Sequence, residues 1–186
     1  MKVEFEIEEK PKQDALGRKG NSSDAIYNLD EVQAIKNAIQ EHFLFIGMDN
    51  CNNIMSIRLL GVGQSNGINI DSKEIIRTAL LSASEKVVLV HNHPSNSLTP
   101  SSQDKYLTNY TSKILDVFNI KMIDHIIVTN KDYYSMGKYN EIEHKEGSKE
   151  IYFAENIFLK EENQKLKNKV NELNKKIQKN KNRDDR

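Results

Sequence analysis

Tryptophan is absent from this chain of 186 residues, cysteine occurs once and proline three times. A lone thiol, Cys51, excludes any disulfide framework within the chain. No apolar run approaches the length of a bilayer span, and the opening MKVEFEIEEKPK lacks the apolar segment of a secretory signal, so a cytoplasmic location without membrane contact is expected. An excess of charge is missing too. With 27 Lys+Arg against 27 Asp+Glu there is no global field to draw in nucleic acid or an anionic surface, and partner choice must come from local sites. Apolar residues make up 37% of the chain against 29% charged, a low share for a compact fold, which places part of the chain outside any core.

That part is the C-terminal end. Residues 141–186 read as a linker and a basic coiled-coil tail, dominated from Glu146 onward by Lys, Glu, Asn and Gln. The apolar positions that remain are periodic. Leu159, Leu166 and Leu173 recur every seven residues, with Asn163, Val170 and Ile177 four after each, the d/a seam of a short coiled coil. Asn156 and Asn163 at a positions favour a parallel two-stranded register, and Glu162 at g would face Lys167 at e of a partner helix, so a homodimer is expected. The alternative is a single amphipathic helix folded back on its own domain. From Lys165 onward nine Lys+Arg stand against Glu172, Asp184 and Asp185, a local net of +6 that gives nucleic acid its one footing.

Ahead of the tail, helix and strand signals alternate. Residues 1–28 hold an alternating strand, Lys2 to Glu8, and a polar, glycine-containing loop, Pro11 to Asp24. Residues 29–140 read as one domain. Asp30 caps a helix expected to reach Gln40 with Val32, Ile35 and Ile39 on one face, and two strands, Phe43 to Met48 and Ile54 to Leu60, flank the turn-rich DNCNN. Ile75, Ile76, Ala79 and Leu80 mark a helix over Ser72 to Ala83, and KVVLV (Lys86 to Val90) has the continuous apolar character of a buried strand. Leu107, Thr111, Ile114, Leu115 and Phe118 define an amphipathic helix, and Ile126 to Thr129 a further strand before YYSM. This order predicts an α/β fold, a mixed β-sheet flanked by helices, with the coiled-coil helix appended.

The chemistry concentrates after the buried strand, in HNHPSNSLTPSSQD. If His91 and His93 end that strand, their i, i+2 spacing puts both imidazoles on one face of the sheet. Imidazole nitrogens suit Zn²⁺, and a catalytic zinc takes three protein ligands while leaving a position for water. Asp104 is the candidate third ligand, in the first turn of the following helix, with Pro94 and Pro100 stiffening the loop that returns it to the strand end. On spacing alone, Ser101 and Asp104 equally fit a helix cap with an acidic residue three positions on, which needs no metal.

His91-x-His93-Pro94 followed by Ser101-x-x-Asp104 resembles the metal-binding motif of the JAB/MPN (JAMM) metalloprotease superfamily, and the flanking segments are similar to its bacterial RadC-like branch. Glu41 to Phe43, SKEIIRTALLSASEKVVLVHNHPS, TPSSQD, IDHIIVT and YYSM share the order and spacing of that branch over about Leu29 to Met136. The resemblance implies a cytidine-deaminase-like layout, His91, His93 and Asp104 as zinc ligands, Ser101 steadying an oxyanion, and Glu41 as the upstream catalytic carboxylate. It implies hydrolysis of a peptide or isopeptide amide in a protein or peptide substrate. The sequence departs from the branch at Asn96-Ser97-Leu98, where Gly-Asp or a close variant is usual, and with only about 28 residues ahead of the first helix no counterpart of the helix-hairpin-helix region of longer members is expected among them. His125, in the matching DHII segment, is expected to make a structural hydrogen bond rather than to bind metal. Rival expectations are a DNA-associated protein of repair or mobile-element maintenance and a non-catalytic dimeric scaffold.

Overall fold

The computed structural model describes residues 17–63, 70–145 and 164–173. Two short helices, α1 (Ser23–Tyr27) and α2 (Asp30–Ile35), lead into β1 (His42–Met48) and β2 (Ile54–Val62). Then follow α3 (Ser72–Leu81), β3 (Lys86–Asn92), α4 (Ser102–Val117), β4 (Lys121–Val128) and β5 (Tyr133–Ser135). The strands form one five-stranded sheet in the order β2-β1-β3-β4-β5. Only the β3/β4 pair is parallel, as the intervening α4 crossover requires, and the remaining pairs are antiparallel. The expected mixed sheet flanked by helices is therefore the observed α/β architecture.

Both faces of the sheet are covered. Ile26, Leu29, Val32 and Ile35 from the α1/α2 layer pack on Leu44, Ile46, Val88 and Val90. On the other side Ile75, Ala79 and Leu115 from α3 and α4 pack on Phe43, Phe45, Val87 and Leu89. The alternation of β3 between the two clusters is the period-two rule applied to a strand buried on both faces. Residues 23–28, expected within the N-terminal segment of strand and polar loop, contribute to this core: Ser22 caps α1 by accepting from the Ala25 N–H, and Ile26 is fully buried.

Two elements differ from expectation in ways that shape the site. α2 stops at Ile35 instead of reaching Gln40; its N-cap is Leu29 rather than Asp30, and Ile39, expected on the buried face, is 89% exposed. The cause is Asn92, whose Nδ2 donates to the carbonyls of Ala38 (3.2 Å) and Gln40 (3.0 Å) and so draws this segment toward the strand ends. β4 begins at Lys121, well before the expected Ile126; buried Asp124 and His125 interrupt the apolar pattern and conceal its first half in the sequence. It also carries an extra residue: Val87 pairs with Met122 but Val88 with Asp124. By strict alternation Asp124 would share the side of Met122; the irregularity at Ile123 shifts the phase, so that Met122 and His125 both lie on the α3/α4 side while Ile126 and Val128 join the other cluster.

Residues 164–173 form a helix, with Leu166, Val170 and Leu173 at 56%, 54% and 50% exposure. The other heptad positions, Asn156, Leu159, Asn163 and Ile177, and the expected strand from Lys2 to Glu8 lie outside the described residues. Among the described residues no helix is long and apolar enough to cross a membrane.

Candidate metal centre

β3 carries Val87, Leu89 and then His91 on the side facing α3 and α4. His93, one residue beyond the strand, stays beside β4 because its N–H donates to the Val128 carbonyl at 3.1 Å. The chain then turns through Asn96, whose φ of 58° is a left-handed conformation that Asn and Gly tolerate best. The departure from glycine at this position is thus conformationally mild. The turn brings the Ser97 carbonyl to 2.7 Å from His93 Nδ1. A carbonyl only accepts, so Nδ1 of His93 carries a hydrogen and its Nε2 is the nitrogen turned toward the centre.

α4 supplies the carboxylate through a capping box. Ser101 Oγ accepts from the Asp104 N–H at 3.1 Å, and Asp104 Oδ2 accepts from the Ser101 N–H at 2.7 Å. The helix-cap reading of these residues is the observed one, and it does not compete with a ligand reading, because the cap fixes a carboxylate that faces the histidines. Asp104 Oδ1 lies 3.4 Å from His91 Nε2, and Asp104 Oδ2 lies 3.6 Å from His93 Nε2. Ser101 Oγ, while accepting from α4, keeps its own hydroxyl hydrogen for donation.

Glu41, just before β1, places Oε1 3.8 Å from His91 Nε2. Its backbone is pinned on both sides by Asn92: Oδ1 accepts from the His42 N–H at 2.7 Å while Nδ2 holds the Gln40 carbonyl. Thus the residue between the two histidines of the motif points to the opposite face and clamps the strand end that bears Glu41. Glu41, His91, His93 and Asp104 each offer a ligand atom, all within 4.8 Å of one another.

Electrostatics agree with this convergence. Burial of His91, reinforced by the adjacent His125, pushes its pKa well below the ordinary imidazole value against the pull of Asp104. Burial likewise opposes charge on His93, but the hydrogen bond with Asp104 and the Ser97 carbonyl outweigh it and raise the pKa. For Asp104 burial works upward, yet the hydrogen bond with His93, with the nearby His91 and Ser101 adding to it, holds the carboxyl far below the usual range. His91 Nε2 and His93 Nε2 approach to 2.9 Å with the carboxylates around them. Two imidazoles with carboxylate oxygens gathered this closely form a set of ligand atoms that could hold a divalent metal.

His125 is not part of the ligand cluster. Buried in β4, it meets His91 Nδ1 through its Nε2 at 2.8 Å and Thr108 Oγ1 through its Nδ1 at 2.6 Å, and burial lowers its pKa to about 4. This is the structural hydrogen bond expected of it. Phe43 lies parallel to the His91 ring at 5.6 Å and edge-on to His125 at 5.4 Å, which fixes both ring planes. Sequence reasoning missed Phe43, Asn92 and Thr108; for Asn92, alternation within β3 carried the signal, while Thr108, one helical turn after Asp104, stood out only as an interruption of the apolar stripe. A cavity of about 670 Å³ opens beside Asp104, lined by Phe43, Ile70, Leu107 and the stacked, exposed pair Tyr106 and Tyr110.

A family model described as RadC-like JAB domain matches residues 21–142. Similar relatives include a UPF0758 protein of Finegoldia magna, 37% identical over 98 residues, covering 53% of this chain and 44% of the relative. The UPF0758 protein YkfG of Escherichia coli is 33% identical over 100 residues, covering 54% and 63% respectively. One from Streptococcus suis is 28% identical over 137 residues, covering 68% and 56%. The chain spans about half the length of the curated relatives it matches.

Proposed function

The chain belongs to the RadC-like JAB domain family, and from that premise we propose that it is a zinc-dependent hydrolase cleaving a peptide or isopeptide amide in a protein or peptide substrate. The observation that carries the reading is the convergence of Glu41, His91, His93 and Asp104 at the strand ends. His91, His93 and Asp104 would hold the metal. When bound, zinc would supply Lewis-acid chemistry, acidifying a water toward a pKa of ~7 and polarising the scissile carbonyl. Glu41, held by the Asn92 clamp, accepts the proton of the attacking water and delivers it to the leaving amine nitrogen. The hydroxyl hydrogen of Ser101 donates to the carbonyl oxygen as negative charge develops on it. The cavity beside Asp104, whose walls mix Phe43, Ile70 and Leu107 with polar groups such as Lys73 and Gln103, has the size to seat side chains of an extended polypeptide.

Metal content of the purified protein, measured by inductively coupled plasma mass spectrometry beside a peptide and isopeptide cleavage screen, tests this. We expect about one zinc per chain, retained in Glu41→Gln, which loses turnover. Protein purified without chelator and holding no stoichiometric metal would overturn the proposal. We propose further that the tail pairs two copies of the chain, a reading supported by the exposed Leu166, Val170 and Leu173 on the helix over 164–173. Light scattering should then give a dimer mass that Leu166→Lys with Leu173→Lys reduces to a monomer.

A further inference from the structure

Behind the ligand cluster runs a line of short polar contacts that the hydrolytic proposal does not use. His91 Nδ1 lies 2.8 Å from His125 Nε2, His125 Nδ1 lies 2.6 Å from Thr108 Oγ1, and Thr108 Oγ1 lies 2.6 Å from the Asp104 carbonyl oxygen. All of these side chains are fully buried, and each contact is too short to stand without a hydrogen between its atoms. Three contacts need three hydrogens, and the order in which they are assigned is forced from one end.

The Asp104 carbonyl can only accept, so the Thr108 hydroxyl spends its single hydrogen there. Thr108 Oγ1 must then accept from His125, which places a hydrogen on His125 Nδ1. A neutral His125 therefore has its lone pair on Nε2, and the remaining contact takes its hydrogen from His91 Nδ1. The consequence appears at the far end: His91 Nε2 carries a lone pair, and that atom is the one facing Asp104 and His93.

We propose that Thr108 and His125 are positioning residues that fix the tautomer of His91, making its Nε2 a ready metal-ligand atom. This rests on the reading of the cluster as a metal centre, but its core, the tautomer order, is a property of the metal-free chain. The chain of bonds begins and ends on ligands, from the backbone of Asp104 to the ring of His91, so the same contacts couple α4 to β3 across β4. Removing the Thr108 hydroxyl takes away the acceptor for His125 Nδ1–H. His125 is then released to its Nε2–H form, which would donate to His91 Nδ1 and drive the His91 hydrogen onto Nε2, where it blocks coordination.

Two measurements on the full chain decide it. Long-range ¹H–¹⁵N correlation spectra of the metal-free protein should show His91 and His125 both as Nδ1–H tautomers, and Thr108→Val should move His125 toward Nε2–H. Zinc affinity, read by competition with a chromophoric chelator, should fall about tenfold to a hundredfold in Thr108→Val and stay near wild type in Thr108→Ser. A wild-type spectrum with His125 as Nε2–H, or doubly protonated, overturns the proposal whatever the variants do, including a Thr108→Val chain that fails to fold. So does Thr108→Val with unchanged tautomers and unchanged affinity. If the wild type shows the expected tautomers but takes up no zinc, the metal-centre reading fails, and the proposed role in metal binding falls with it.

Discussion

Asp124 and His125 are neighbours in β4, both fully buried, yet they serve polar clusters of opposite kind on opposite faces of one sheet. Asp124 faces the α1/α2 side, where Ser23 Oγ (2.9 Å), Ser135 Oγ (2.6 Å) and the Gly137 N–H (2.8 Å) all donate to its carboxylate. Acceptors there are matched by donors from the chain itself, and the cluster ties α1, β5 and the turn after it to the sheet. His125 faces the other side and ends a chain of contacts at a cluster where imidazole nitrogens and carboxylates point at one another. The first cluster closes on donors of the chain itself and holds the fold together, whereas the second gathers two imidazoles and two carboxylates whose ligand atoms lie within 4.8 Å of one another, a set that could hold a metal ion.

Substitutions on the two faces should break apart along this line. Asp104→Ala is expected to have the largest effect on function, weakening zinc binding by about three orders of magnitude or more, with the change read by the same chelator competition. Asp124→Ala should do the converse: zinc affinity holds, but urea unfolding shows a loss of about 3 kcal/mol, since three buried donors lose their acceptor. Asn92→Ala tests whether the clamp belongs to the functional face. Zinc binding should persist while turnover falls about tenfold to a hundredfold, because Glu41 loses its fixed approach.

The smallest effect is in the pH dependence of stability. Burial raises the Asp124 pKa from 3.8 to about 6, with the Ser135 and Gly137 donors opposing the shift. The folded state therefore holds a proton that the unfolded chain has released, so this group's contribution is fully present below about pH 4 and is lost as pH rises through 6. Asp124→Asn should flatten the difference between pH 4 and pH 7 by about 2 kcal/mol in denaturant titrations. An unaltered pH profile in that variant would place the titration elsewhere.

Much of this was readable from residue order. β3, α3 and α4 obey simple periodicities, and the HNHP segment with its Ser and Asp spacing pointed to the residues that converge at the strand ends. What failed to show was long-range. Nothing local in KNAIQE says that its carbonyls will be claimed by Asn92, so the helix was expected to run on past Ile35. Likewise Asp124 and His125 look like surface residues inside an apolar run, because each is satisfied by partners distant in sequence, Ser23 for one and His91 for the other. The proposed ligand role of Asp104 and its cap role could not be separated in sequence because one carboxylate meets both partners, Oδ2 taking the Ser101 N–H and Oδ1 facing His91.

The irregularity in β4 has a bearing on how this domain tolerates loss of residues. A central strand ordinarily survives no single deletion, since a one-residue slip exchanges its two faces. Here Met122 sits opposite Val87 and Asp124 opposite Val88, which leaves Ile123 as the one residue without a station in the ladder. A chain shortened at Ile123 keeps every pairing on either side, gives up one apolar side chain, and leaves His125 turned toward His91. A chain shortened two positions later loses His125 itself and puts Ile126 in its place beside Leu89. Natural length variation among relatives should therefore fall at the first position and spare the second.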